Sequence, residues 1–273
     1  MERKKRVAYH QDEEPIGGSI IETSEGTEKE ISLSAAQEEA YSKIKEIFAK
    51  GKPALLHGVT GSGKTEIYLK LAQETLAMGK NVLYLVPEIA LSRQLEDRIS
   101  ETFPELLVFH SGETMSRKRE VATVLRHAGE PAEGKGYVVL GTRSAIFLPH
   151  KNLGLVIVDE EHDTSYKQDS PAPRYNGRET AIMMAKIFGA NVILGSATPS
   201  LESLYNCSVG RYGLVTLNKR FYDAADSDIE IIDTIAERRK NGMIGNFSRK
   251  LIEHIGKCLG EHRQVLILRE RRA

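Results

Sequence analysis

Gly58, Val59, Thr60, Gly61, Ser62, Gly63, Lys64 and Thr65 complete the pattern G-x-x-x-x-G-K-[ST]. Glycines at those positions let the backbone curl with its N–H groups inward, a cradle for phosphate oxygens at the positive end of the helix that follows. Lys64 can then reach the β- and γ-phosphates of a nucleotide, and the Thr65 hydroxyl can ligate Mg²⁺. A second string, Asp159-Glu160-Glu161-His162, ends an apolar run. A carboxylate at the tip of a buried strand is the usual second contact for that ion, which assigns Asp159 to Mg²⁺. Glu160 is placed to orient and deprotonate an attacking water. Lys64, Asp159 and Glu160 are therefore the expected catalytic set. A third string, Ser196-Ala197-Thr198-Pro199, sets hydroxyls at another strand exit. Alone it is an ordinary strand-to-loop exit; its value is that such hydroxyls can bond across to the acidic string and sense the γ-phosphate.

These strings need a scaffold that brings distant strand ends together. Continuous apolar runs at 54–57, 82–86, 106–109, 137–141, 153–158 and 192–195 predict buried parallel strands. Helical patterns lie between them at 64–78, 90–101, 115–127 and 177–188, with Gly79 and Gly189 at helix ends. Ser34 is a plausible N-cap for an earlier helix, with Gln37 three residues on. Alternation of this kind predicts an α/β fold, a mostly parallel sheet with helices on both faces. Residues 1–32 read as an irregular lead-in, rich in Glu, Ser and Thr. After about residue 210 the alternation weakens: 229–232 and 264–268 read as strands and 249–259 as a helix. A buried-type strand so close to a terminus suggests a fragment of a longer sheet.

Lys plus Arg equals Asp plus Glu at 38 each, so net charge is zero. That excludes a histone-like cationic binder but not one with a local basic patch. Residues 211–273 carry thirteen basic and nine acidic side chains, most simply a solvated surface. Cys207 and Cys258 form no C-x-x-C pair and support neither a disulfide framework nor a zinc site. Their sparseness suggests a reducing compartment, and the charged N-terminus is no signal peptide, so a cytoplasmic protein is expected. No apolar run approaches the roughly 18 residues that span a bilayer, so no membrane role is expected.

Taken in order, Gln37, the glycine-rich loop, the DEEH string and the SAT string resemble the first motor lobe of the superfamily 2 helicases. The resemblance is closer still to the primosomal replication-restart helicases, through the strings at 85–91, 109–112, 141–145, 159–168 and 195–200 and through Arg174, Tyr175 and Arg178. It covers about residues 33–268. It implies a RecA-like P-loop lobe over 33–217, then, over 218–273, a linker and the beginning of a second lobe. It further implies ATP and Mg²⁺ as cofactors, with Gln37 reading adenine and the eight loop residues holding the triphosphate. His162, Ser196 and Thr198 would couple hydrolysis to movement. The segments 87–91 and 141–144 would touch the DNA backbone, Arg143 among them, and the loop 163–178 would be an aromatic-rich DNA sensor. Independently of any family, Tyr166, Lys167, Arg174, Tyr175 and Arg178 place cations and aromatic faces within thirteen residues, the two ingredients of single-strand binding.

The activity implied is ATP-dependent 3′-to-5′ DNA unwinding in replication restart, on single-stranded and forked DNA, alongside other replication-restart proteins. The family's zinc-binding region has no counterpart in this sequence, nor does most of a second lobe. Because a missing arginine finger costs about 10³–10⁵ in rate in related systems, the 273-residue chain is expected to bind nucleotide weakly and turn it over slowly. The alternatives are another superfamily 2 motor on DNA or RNA, a P-loop small-molecule transferase, or a nucleotide-independent scaffold. DEEH followed by SAT argues against the transferase, and the intact Lys64, Thr65, Asp159 and Glu160 against the scaffold.

Overall fold

A computed structural model describes residues 31–88, 90–91, 93–104, 106–127, 136–217 and 229–268. The expected lead-in lies almost wholly outside the described residues, as do the start of the expected linker and the last five residues. The chain divides into two compact units, Met1–Asp223 and Ala224–Ala273.

Unit one holds the α/β alternation. In chain order its helices and strands are α1 (Ala35–Ala49), β1 (Ala54–Gly58), α2 (Lys64–Ala77), β2 (Asn81–Leu85), α3 (Arg93–Ser100), β3 (Leu106–Phe109), α4 (Met115–His127), β4 (Val138–Gly141), β5 (Leu153–Val158), β6 (Lys167–Gln168), β7 (Tyr175–Asn176), α5 (Gly177–Phe188), β8 (Asn191–Ser196), α6 (Leu201–Ser208) and β9 (Gly213–Leu217). A 3-10 turn, Arg143–Phe147, follows β4. Seven strands form one sheet in the order β3-β4-β2-β5-β8-β1-β9, every pair parallel. β6 and β7 form a separate antiparallel hairpin.

Alternate residues of each central strand enter opposite cores, which is why the strands are apolar along their whole length. Leu56, Tyr84, Ile157 and Ile193 pack on one side with Ile44 of α1, Ile67 and Tyr68 of α2 and Ile99 of α3. Leu55, Leu83, Val156 and Leu194 pack on the other with Val121 and Leu125 of α4 and Ala181 and Ala185 of α5. Helices thus cover both faces. Ser34 caps α1 as expected: its side chain accepts the Gln37 N–H while the Gln37 side chain accepts the Ser34 N–H. Besides the β6–β7 hairpin, two further elements absent from the sequence reading complete the lobe. β9 is an edge strand beside β1, and α6 starts at Ser200, whose side chain caps it.

Unit two contains α7 (Thr234–Arg239), a hairpin of β10 (Met243–Ile244) and β11 (Phe247–Ser248), and α8 (Arg249–Gly260). The helix expected over 249–259 is present as α8. The expected strands at 229–232 and 264–268 are not: both are irregular, with Ile231 91% and Leu266 97% exposed. A strand exists only through lateral pairing, and neither segment has a ladder partner among the described residues.

Candidate functional site

Sheet order decides what meets at the carboxyl edge. β8 lies between β1 and β5, so the glycine-rich loop, the SAT string and the DEEH string leave three adjacent strands at the same end. That edge is where open α/β sheets bind ligands.

The loop turns through Gly61 and Gly63, at φ 77° and 83°, and Gly63 opens α2 in the left-handed conformation that glycine adopts without penalty. Thr60 and Gly61 are exposed at the tip, Val59, Gly63 and Thr65 half-buried, and Gly58, Ser62 and Lys64 buried. Lys64 Nζ donates to the Gly58 carbonyl at 2.9 Å, holding a cation inside the turn.

One helical turn later, Tyr68 donates its hydroxyl to Asp159 Oδ1 at 3.1 Å. This bond joins the phosphate-loop helix to the acidic strand end directly. Burial holds the Tyr68 phenol well above its ordinary range, so it stays a donor. Burial, then the neighbouring Glu160 charge, pushes the Asp159 carboxyl up to about 6, with Lys64 partly offsetting both. The donor set fits a phosphoanion with a hard cation: a buried lysine, the Thr65 hydroxyl, the Asp159 carboxyl, and a buried Ser62 Oγ without a hydrogen-bond partner among the described residues.

Glu160 has φ 45°, a left-handed conformation that costs a non-glycine residue about 1–2 kcal/mol. Its N–H donates to Asp159 Oδ1 at 3.1 Å and its carbonyl accepts from Asp163 N–H at 2.9 Å. The turn keeps Glu160 half-buried beside the site and sends Glu161 inward and His162 outward. His162 Nδ1 lies 2.8 Å from Ser196 Oγ and 3.6 Å from Glu160 Oε2, while its Nε2 lies 3.3 Å from Thr198 Oγ1. The structure therefore brings Glu160, His162, Ser196 and Thr198 into one cluster.

Four expected ligand contacts are engaged elsewhere. Gln37 is 1% exposed; its Oε1 accepts the Ser34 N–H and its Nε2 donates to the Gly63 carbonyl at 3.1 Å. It therefore ties α1 to the loop and presents no open edge to an adenine. Tyr166 is 2% exposed and donates its hydroxyl to the Asp159 carbonyl at 2.7 Å; a ring packed in the core cannot stack on a base. Arg178 is 7% exposed and donates to Glu161 at 2.6 Å, so its charge is consumed internally rather than offered to a phosphate. Arg143 is half-buried and donates to the Ser165 and Lys167 carbonyls at 2.8 and 3.1 Å, clasping the hairpin. Within 87–91, residue 89 lies outside the described residues; Pro87 is buried and Glu88 exposed.

Lys167 and Arg174 are exposed and Tyr175 is half-buried. Sequence reasoning missed two residues. Phe147, 61% exposed, meets Tyr175 edge-to-face with centroids 5.0 Å apart, a pairing that 28 residues of separation conceal. Glu161, fully buried, accepts Arg178, Ser200 and Ser203. Only its place between two chemically readable neighbours could have signalled it.

The chain is similar to several known proteins. The replication restart protein PriA of Rickettsia felis is 44% identical over 242 residues, 88% of this chain and 35% of that protein. PriA of Bacillus subtilis is 38% identical over 245 residues, 89% of this chain and 29% of that protein. The chain thus spans well under half the length of these relatives. The structure of RecG bound to a three-way DNA junction superposes with a TM-score of 0.51 at 26% identity, covering 72% of this chain and 25% of that one, which agrees with a RecA-like helicase lobe. The family model for the Type III restriction enzyme res subunit matches residues 30–201, most of unit one and more than half of the sequence, and the chain belongs to that family.

Proposed function

We propose that this chain is the ATP-binding lobe of a DNA helicase of replication restart, working 3′ to 5′ in the cytoplasm on single-stranded and forked DNA with other restart proteins. The Tyr68–Asp159 bond carries the reading, because it makes the glycine-rich loop and the acidic string parts of one site. Lys64 and the amides of 58–65 would bind the β- and γ-phosphates; Thr65 and Asp159 would hold Mg²⁺. When bound, the magnesium nucleotide supplies the transferable phosphoryl group and neutralises its charge. Glu160 orients water at the γ-phosphate and accepts its proton. His162, 2.8 Å from Ser196 and 3.3 Å from Thr198, reports the state of Glu160 to the SAT string.

Single-stranded DNA would lie across the 167–176 hairpin, with bases on Phe147 and Tyr175 and phosphates near Lys167 and Arg174. An aromatic pair with one exposed and one half-buried ring, flanked by exposed cations, suits a strand bound without sequence preference. The PriA relatives, at 38–44% identity, support the restart setting. The proposed beginning of a second lobe is unit two.

Titration of the chain with a fluorescent ATP analogue, with and without Mg²⁺ and an oligo-dT, tests this reading. Mg²⁺-dependent binding that responds to DNA is expected. Nucleotide binding with no binding of the oligo-dT would favour a small-molecule transferase, and no nucleotide binding a scaffold.

A further inference from the structure

The Glu161 side chain is wholly inaccessible to water, yet a guanidinium and several hydrogen-bond dipoles surround it. Oε2 accepts from Arg178 Nη1 at 2.6 Å, from Ser203 Oγ at 2.9 Å and from Ser200 Oγ at 3.0 Å. Oε1 accepts the Ser200 N–H at 2.7 Å, and the Glu161 N–H itself donates to the Gly195 carbonyl at 3.0 Å. Arg178 Nη1 also donates to Ser200 Oγ at 2.6 Å. A fully buried carboxylate is costly unless paired and hydrogen-bonded, and here it is both.

What the hub joins matters more than what it contributes to stability. Glu161 follows the left-handed Glu160. Ser200 and Ser203 stand at the exit of the SAT string, one capping α6 and the other in its first turn. Arg178 is the second residue of α5, directly after the hairpin strand β7. Gly177 beside it is packed so closely that a Cβ there would lie 3.0 Å from Arg143 Cβ and 3.2 Å from the Tyr166 carbonyl. Arg143 in turn clasps the hairpin through Ser165 and Lys167. A displacement of the hairpin therefore has a packed and partly hydrogen-bonded route to Glu161, and from there to Glu160 on one side and to the SAT string on the other.

We infer that Glu161 and Arg178 form a positioning pair that transmits nucleic-acid binding at the 167–176 hairpin to Glu160 and the SAT string, without touching nucleotide or DNA. This inference rests on the function proposed above. It differs from a purely structural role in one respect: a structural pair would set stability and the separate affinities, whereas a transmitting pair sets their mutual dependence. That dependence is a coupling factor, the ratio of nucleotide affinities with and without DNA, and linkage requires the same factor when the order of addition is reversed.

Removing the Glu161 or Arg178 charge outright strands its buried partner and risks unfolding, so milder changes are the test. Ser203→Ala deletes one donor to Glu161. Arg178→Lys keeps the charge but loses the forked geometry. Ser208→Ala, in the same helix but with its hydroxyl donating to the Tyr205 carbonyl, is the control. Each full chain is titrated at one fixed salt concentration with a Mg²⁺-loaded fluorescent ATP analogue, with and without an oligo-dT, and its melting temperature is recorded. The expected result is a wild-type coupling factor within the usual range of about 5–150. It should be retained in Ser208→Ala and fall at least fivefold in Ser203→Ala and Arg178→Lys, while each separate affinity changes less than threefold. If Arg178→Lys does not fold, Ser203→Ala decides. Coupling intact in the folded variants overturns the inference, as does a wild-type chain that binds both ligands without coupling, which leaves the nucleotide and DNA sites standing. Failure of the wild type to bind either ligand overturns the proposed function and this inference with it.

Discussion

Tyr68 and Asp159, 91 residues apart in sequence, meet at 3.1 Å beneath the carboxyl edge of the sheet. Gly195 makes the meeting possible: a Cβ there would fall 1.5 Å from the Tyr68 hydroxyl. The phosphate-loop helix, the acidic string and the strand carrying SAT are thus fitted to one another at a single point, and perturbing that point should disturb all three.

Gly195→Ala should accordingly destabilise the lobe by about 1–3 kcal/mol, the usual cost of overpacking a filled core. Tyr68→Phe in the same chain should restore part of that loss by removing the clashing oxygen. Urea unfolding of both single variants and the double variant measures it; additivity would show that the two sites do not touch.

Asp159→Asn keeps the Oδ1 acceptor used by Tyr68 and the Glu160 N–H but removes the charge. The folded-state pKa is raised from 3.8 to about 6, so the folded chain holds this proton more tightly than the unfolded one. Its ionisation therefore costs stability at pH 7.5, and that cost fades as pH falls from 6 toward 3.8. The variant should melt higher than wild type at pH 7.5 and equally at pH 4. A displacement of this size is worth at most about 3 kcal/mol, and less here because the residue is half-buried. Nucleotide binding by the variant should lose its Mg²⁺ dependence. A lower melting temperature at pH 7.5 would contradict the assignment.

Lys64→Ala removes a charge-assisted contact to phosphate worth about 1.5–3 kcal/mol. Affinity for the ATP analogue should fall about 10- to 100-fold, with oligo-dT binding unchanged. A parallel loss of both would mean that the two sites are not separate.

Phe147→Ala and Tyr175→Ala should each weaken oligo-dT binding by about 1–3 kcal/mol, the range for loss of a base stack. Tyr166→Phe retains a ring but loses the hydroxyl bond to the Asp159 carbonyl. It should leave oligo-dT affinity within twofold while costing about 1 kcal/mol of stability. Fluorescence anisotropy and thermal melts separate the two effects.

Much of the site could be read from residue order alone. The glycine-rich loop is a local device: its glycines, lysine and threonine act through a single turn, so eight consecutive residues specify it. The Ser34–Gln37 capping box is local in the same way. Strand and helix periods likewise report burial within one element, which is why β1 to β5, α4 and α5 were legible within a residue or two. The expectations that failed concern partners. Segments 229–232 and 264–268 have strand-like composition, but composition does not supply a neighbour. Tyr166 and Arg178 have DNA-binding composition, but direction decides their use, and one points at the Asp159 carbonyl and the other at Glu161.

Sequence by itself therefore determined which groups can do chemistry and that a parallel sheet must carry them. Only tertiary structure decided that β8 lies between β1 and β5, that Gly195 admits Tyr68 to Asp159, and that Glu161 gathers Arg178, Ser200 and Ser203. The physical reason is that hydrophobic periodicity is a property of one segment, whereas buried parallel strands are nearly interchangeable as segments. Their order is fixed by non-local packing of helices on two faces and by the few polar groups that must find partners once water is excluded.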